Sequence, residues 1–171
     1  MVQLIELLGN KKLMKIVDFF IKNPSARITQ AELIKKTRIA KATAVKWMRY
    51  LVMNDMLKLE KIGVSHIYQL NNESLIVKYI KIMQTLLLLQ GLNNLKEKEL
   101  EIYLYGSASR GEDTEKSDID LLIIRKTKRS EIVDFIENIS KNIKKRISFT
   151  VFSPVEWSMM RKKDKAYYER I

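Results

Sequence analysis

Gly106-Ser107 and, ten residues further on, Asp118-Ile119-Asp120 set a phosphate-sized turn and a pair of carboxylates into one short unit, a combination suited to nucleotide chemistry. The run before it, Glu101 to Tyr105, is short, apolar and rich in strand formers, and Gly106-Ser107 breaks it where a helix can begin. Glycine lets the backbone approach a phosphate closely. Ser107 adds a hydroxyl and a free N–H at the positive end of the expected helix, where anions are favoured. After a polar loop the chain re-enters a strand from Asp118 to Ile124. Strand side chains alternate with period two, so Asp118 and Asp120 share one face and can grip one Mg²⁺. A strand-start cap beside a solvated carboxylate is the bland alternative. It fits less well, because two acids interrupting an apolar strand are unfavourable without a ligand.

Gly106-Ser-Ala-Ser-Arg-Gly111 followed by Ser117-Asp-Ile-Asp-Leu121 resembles the signature of minimal nucleotidyltransferases of the DNA polymerase beta superfamily, over residues 95–171. The resemblance implies ATP or another nucleoside triphosphate as ligand, with Gly106, Ser107, Arg110 and Gly111 on the nucleotide and Asp118 and Asp120 as catalytic carboxylates holding Mg²⁺. Arg110 has two readings, a phosphate contact or a salt bridge to the acidic loop Glu112 to Glu115. One departure matters. Members of this superfamily carry a third carboxylate on a later strand, and the matching strand here, Ile147 to Phe152, contains none. Thr150, or Ser148, takes that place. The third acid helps hold a second ion and takes the proton from the attacking hydroxyl, so its loss is expected to leave binding while weakening catalysis.

The elements around this unit carry a different signal. Residues 1–90 hold 15 Lys and Arg against 6 Asp and Glu, and residues 91–171 hold 17 against 14, in a chain of net charge +12. Between Lys22 and Arg49 the only acid is Glu32. So uneven a distribution suits a polyanionic partner. Leu13, Ile16, Val17, Phe20 and Ile21 mark one face of a helix that Asn23-Pro24 ends. A short extended piece precedes Thr29-Gln-Ala-Glu32, a capping box opening a second helix. A third helix is expected from about Ala40 to Asn54, then two strands around Gly63 between Met56 and Leu70.

This order, with Ile39 to Leu57, resembles the winged helix-turn-helix of bacterial and archaeal transcriptional regulators. The resemblance puts the third helix in the major groove of double-stranded DNA. Ile39, Ala44, Met48, Leu51 and Met56 then face inward. Lys41, Thr43, Lys46 and Arg49 face outward toward phosphates and base edges, and Lys58, Lys61 and His66 are available from the wing. Ala40 stands where a capping Ser is usual, and Trp47 reads as packing. The single histidine and the absence of cysteine leave no zinc site.

Glu73 to Gln90 is an apolar helical stretch interrupted by Lys78, Lys81 and Gln84, and its uninterrupted apolar run is short of the ~20 residues that cross a bilayer. It reads as a linker, apolar on more than one face, with two readings: packing against a second subunit, since a homodimer would suit a two-fold DNA site, or burial wholly within one chain. Ser130 is expected to cap a helix running to about Lys145, and Ser153 to Glu156 forms a second capping box. The expected class is α+β: a winged helix-turn-helix over 1–72, a linker and dimerisation helix over 73–94, and a small nucleotidyltransferase α/β domain with a short mixed sheet over 95–171. A cytoplasmic setting is the default expectation, with no cysteine and no signal read before Met1-Val-Gln-Leu. Three functions fit. One is a DNA-binding regulator with a nucleotide- and Mg²⁺-binding domain. Another is an active enzyme passing a nucleotidyl group from ATP to a small molecule or protein, since the spacing also resembles antitoxins partnered with HEPN-domain toxins. The last is a scaffold without catalysis.

Overall fold

Hydrophobic residues at helical spacing and two short runs of alternating strands divide the chain into two units, residues 1–80 and 81–171. The structure is a computed structural model and describes residues 8–94, 100–125 and 129–171.

In the first unit, α1 (Lys11–Lys22) starts where the Asn10 side chain accepts from the backbone N–H groups of Lys12 and Leu13. Strand β1 (Arg27–Thr29) leads directly into α2 (Gln30–Thr37), whose Thr29 and Glu32 form the expected reciprocal cap. Arg38, at φ 53°, turns the chain into α3 (Lys41–Met53). Ala40 offers α3 no side-chain cap. Strands β2 (Leu57–Ile62) and β3 (Ser65–Leu70) then form a hairpin around Gly63. The sequence reading missed one pairing: β1 adds to β3, so the sheet has three antiparallel strands in the order β1-β3-β2. Leu13, Ile16, Phe20, Leu33, Met48 and Leu51 are sealed from solvent and form the core of this unit.

The helix α4 (Leu75–Leu88) and the 3-10 turn after it (Leu89–Asn94) contain the boundary between the units. By length and composition alone, Leu75–Leu92 is apolar enough to cross a membrane, and 22% of it is buried within the fold. The sequence reading excluded a span by counting uninterrupted apolar residues. Within this stretch Val77 belongs to the first core, and Lys81 and Thr85 are buried as well.

In the second unit, β4 (Glu101–Tyr105) pairs antiparallel with β5 (Ile119–Ile124), and β5 pairs parallel with β6 (Ile147–Phe152), a small mixed sheet in the order β4-β5-β6. One turn of helix, α5 (Gly106–Ser109), follows β4, and α6 (Arg129–Ile143) crosses between β5 and β6. Ile119, Leu121 and Ile123 pack with Ile132, Ile136 and Ile139 of α6 on one face of the sheet. The opposite face carries the acids. Ser130, expected as the cap of α6, falls inside it, because the helix starts one residue earlier. The C-terminal helix is two helices, α7 (Pro154–Lys163) and α8 (Lys165–Arg170), broken at Asp164, whose carboxylate accepts from the Tyr167 N–H.

Candidate functional site

Leu121 and Ile123 point into the core, so by alternation Asp120 must point the other way. In register, Asp120 lies between Tyr105 of β4 and Ser148 of β6. Gly106 follows Tyr105 directly, with φ 73°. A β-carbon there would collide with Oδ2 of Asp120, so glycine serves twice: it admits the left-handed turn, and it lets the turn close onto the carboxylate. Gly111, at φ 67°, closes the other end of the motif. Between them the Ser107 carbonyl accepts from the Glu112 N–H at 2.9 Å, and the Ser109 hydroxyl donates to the Gly106 carbonyl at 2.9 Å. The helix expected after Gly106 is a single turn. Phosphate binding here would therefore rest on local N–H groups and the Ser107 hydroxyl rather than on a helix dipole.

Electrostatics ties the two acids together. Burial raises the Asp120 carboxyl pKa above its ordinary value, and the nearby Asp118 charge raises it further. Asp118 faces Arg146, with Nε 3.5 Å from Oδ2. Two like charges held together on a partly buried face suit a hard cation that both can share. The fit has a limit: among the described residues no group of three or more His, Cys, Asp or Glu converges to hold a metal. A Mg²⁺ here would need phosphate oxygens to complete its coordination.

Arg110 pairs with Glu112, Nε to Oε2 at 2.9 Å, so of its two readings the structure contains the salt bridge. On β6, Ser148 is level with Asp120, and Thr150 is level with Leu122, one pair further along the same face. The register therefore puts Ser148, not Thr150, beside the carboxylate pair. Thr150 is also engaged elsewhere. The Tyr105 phenol is pushed up to about 12, chiefly by burial, then by the neighbouring Tyr167 hydroxyl and the Asp120 carboxylate, while a hydrogen bond with Thr150 acts in the opposite sense. Tyr105 thus stays protonated at neutral pH. The Tyr167 hydroxyl is buried beside the Tyr105 phenol. Tyr167 reaches this face through an aromatic cluster in which Phe152 meets Tyr167 and Trp157, and Trp157 stacks on Tyr168 with centroids 5.0 Å apart. The sequence reading missed this wall, although Phe152, Trp157, Tyr167 and Tyr168 were visible as an aromatic-rich C-terminus.

Residues 88–171 match the family model of the nucleotidyltransferase domain, so the second unit carries a nucleotidyltransferase domain. No curated protein and no solved structure matches the chain.

In the first unit, α3 buries Ala44, Met48 and Leu51, and Ile39 and Met56 at its ends are buried as expected. Lys41, Lys46 and Arg49 are exposed, and Thr43 and Val45 are half-buried on the same helix. The Lys46 ammonium lies 4.8 Å from the centre of the Trp47 ring, and Trp47 packs edge-on against Tyr50. Trp47 and Tyr50 also border the core, which agrees with a packing role for Trp47. Lys58, Lys61 and His66 are exposed on the β2–β3 hairpin.

Proposed function

We propose that this chain is a DNA-binding protein, a transcriptional regulator, whose nucleotidyltransferase domain binds a nucleoside triphosphate with Mg²⁺ and only weakly passes its nucleotidyl group to an acceptor, with release of pyrophosphate. The observation that carries the nucleotide half is the collar of Gly106 around Asp120, beside Asp118. Asp118 and Asp120 would hold the ion, and Gly106, Ser107 and Gly111 would accept the phosphates, with Arg110 joining them by leaving Glu112. The ion, once bound, neutralises phosphate charge. No carboxylate stands on β6 to act as a base, and that absence is what favours a binding domain of low turnover.

The DNA half rests on the first unit. A basic helix preceded by two others and followed by a hairpin has the element order of a winged helix-turn-helix, and Lys41, Thr43, Lys46 and Arg49 would meet DNA from α3, with Lys58 and Lys61 from the hairpin. We read the protein as a homodimer joined through α4.

A second reading is favoured by the intact carboxylate pair: an active enzyme that passes a nucleotidyl group from ATP to a protein, such as a HEPN-domain toxin, or to a small molecule. Titration with Mg²⁺-ATP and Mg²⁺-GTP, following binding and label transfer together, separates the two. Binding by the native chain without transfer supports the regulator, and robust transfer promotes the enzyme. Asp118→Asn with Asp120→Asn should abolish heat-stabilisation by Mg²⁺-nucleotide, and stabilisation that survives the double change would remove the site.

A further inference from the structure

Lys81 is the most buried lysine among the described residues, with 3% of its side chain exposed, and it spends its ammonium on one partner. Its Nζ donates to the backbone carbonyl of Asp113 at 2.5 Å and lies 3.6 Å from the Asp113 carboxylate. The other oxygen of that carboxylate accepts from Lys145 Nζ at 2.8 Å. Asp113 is itself only 11% exposed and Lys145 21%. Three charges are therefore buried or half-buried together in the second unit, far from any need of solubility.

Ion pairs of this kind are weak contributors to stability, because desolvation consumes most of the attraction, and their best-attested use is to fix one arrangement of the chain. The arrangement fixed here is that of the loop from Glu112 to Asp118. Its start is tied by the Glu112 N–H to the Ser107 carbonyl. Next to it, Asp113 is gripped by Lys81 of α4 from one side and by Lys145, two residues before β6, from the other. Thr114 and Ser117 close a turn through the Thr114 N–H and the Ser117 hydroxyl at 2.9 Å. Its end, Asp118, faces Arg146, next in sequence to Lys145, and the Arg146 carbonyl accepts from the Ile119 N–H at 3.0 Å. Residues 145 and 146 thus anchor both Asp113 and Asp118, and Lys81 adds the third point.

We propose that Lys81, Asp113 and Lys145 form a clamp that holds the 112–118 loop in place before any ligand arrives, so that Asp118 stands ready beside Asp120. These are positioning residues acting through Asp118, and the inference rests on the reading of that pair as the Mg²⁺-nucleotide site. Without the clamp, the ligand would have to order the loop as it binds, and affinity falls when supporting residues are left loose.

The test uses the full chain with Lys81→Met and Asp113→Ala combined, which removes the buried charges as a pair, and separately with Lys145→Ala, a milder change at a half-exposed position. Two measurements are made on each: hydrogen exchange of the 112–118 amides without metal, and affinity for Mg²⁺-ATP by calorimetry. The clamp predicts that these amides exchange faster in both variants while those of β5 stay protected, and that Mg²⁺-ATP affinity drops roughly tenfold or more. Unchanged exchange in a folded variant overturns the clamp, as does native affinity for Mg²⁺-ATP in both. Failure of the native chain to bind Mg²⁺-ATP, with the loop still loosened in the variants, would instead overturn the nucleotide reading and leave the clamp standing.

Discussion

Ser148 and Thr150 are the two positions on β6 where a third carboxylate would bear on the proposed transfer. Both lie on the face that carries Asp120, and register sets Ser148 level with it. A positioned general base contributes ~10²–10⁴-fold to a rate, so an acid restored at the right one should be visible against a feeble background. Ser148→Asp is expected to raise nucleotidyl transfer more than Thr150→Asp, since it adds a carboxylate one strand away from Asp120 and leaves the Thr150–Tyr105 hydrogen bond in place. Equal rates for both variants and the native chain would mean that the acid is not what limits transfer. An added acid also crowds a carboxyl that burial and Asp118 already hold above the usual range. The sign of that effect is fixed: the folded carboxyl has the higher pKa, so metal-free stability is fully present below the ordinary carboxylate value and falls as pH rises through the raised one.

At the scale of elements, the local signals read well because each rests on chemistry between near neighbours. The capping boxes at Thr29/Glu32 and Ser153/Glu156 formed as their spacing required, and the apolar faces of α1 and α3 are the buried ones. The chain was less legible where the deciding partner is distant. Nothing near Arg27 to Thr29 announces that it pairs with β3 some forty residues on. The break at Asp164 lacks a glycine or proline and shows only as a polar residue able to cap. Lys81 looked like a polar interruption of an apolar helix. Its partner, thirty-two residues later, could not be found by periodicity. The Gly106 and Asp120 pair was readable because the motif fixes both at once. The prediction at this scale concerns α3. Lys46→Ala with Arg49→Ala should weaken duplex binding and lower the slope of log affinity against log salt by roughly two, if both meet phosphates. Fluorescence anisotropy over a salt series measures it, and an unchanged slope, or no binding at low salt, removes α3 from the groove.

At the scale of the molecule, α4 is divided by its own geometry. Val77, Lys81 and Thr85 are buried on one side, while Ile76, Tyr79, Met83 and Leu86 of α4 and Gln90 of the turn after it, spaced alternately three and four apart, are exposed. That alternation has the spacing of a coiled-coil seam, and no charge falls on it, so it is where the proposed self-association of α4 would take place. Met83→Glu with Leu86→Glu is expected to convert a dimer to a monomer in sedimentation equilibrium, with circular dichroism unchanged. A native chain that sediments as a monomer would rule the seam out.

The same helix decides where the protein can be divided. Val77 completes the core of the first unit, and Lys81, one turn later, completes the buried charges of the second. A cut that leaves each with its own unit must fall between them, inside the helix itself. A fragment beginning at residue 88, where the nucleotidyltransferase match begins, would leave Asp113 facing an empty place where Lys81 stood. A first unit trimmed at residue 72 would lose Val77. Each half studied alone therefore begins or ends within α4, at a boundary that breaks the helix while keeping Val77 with the first core and Lys81 with Asp113.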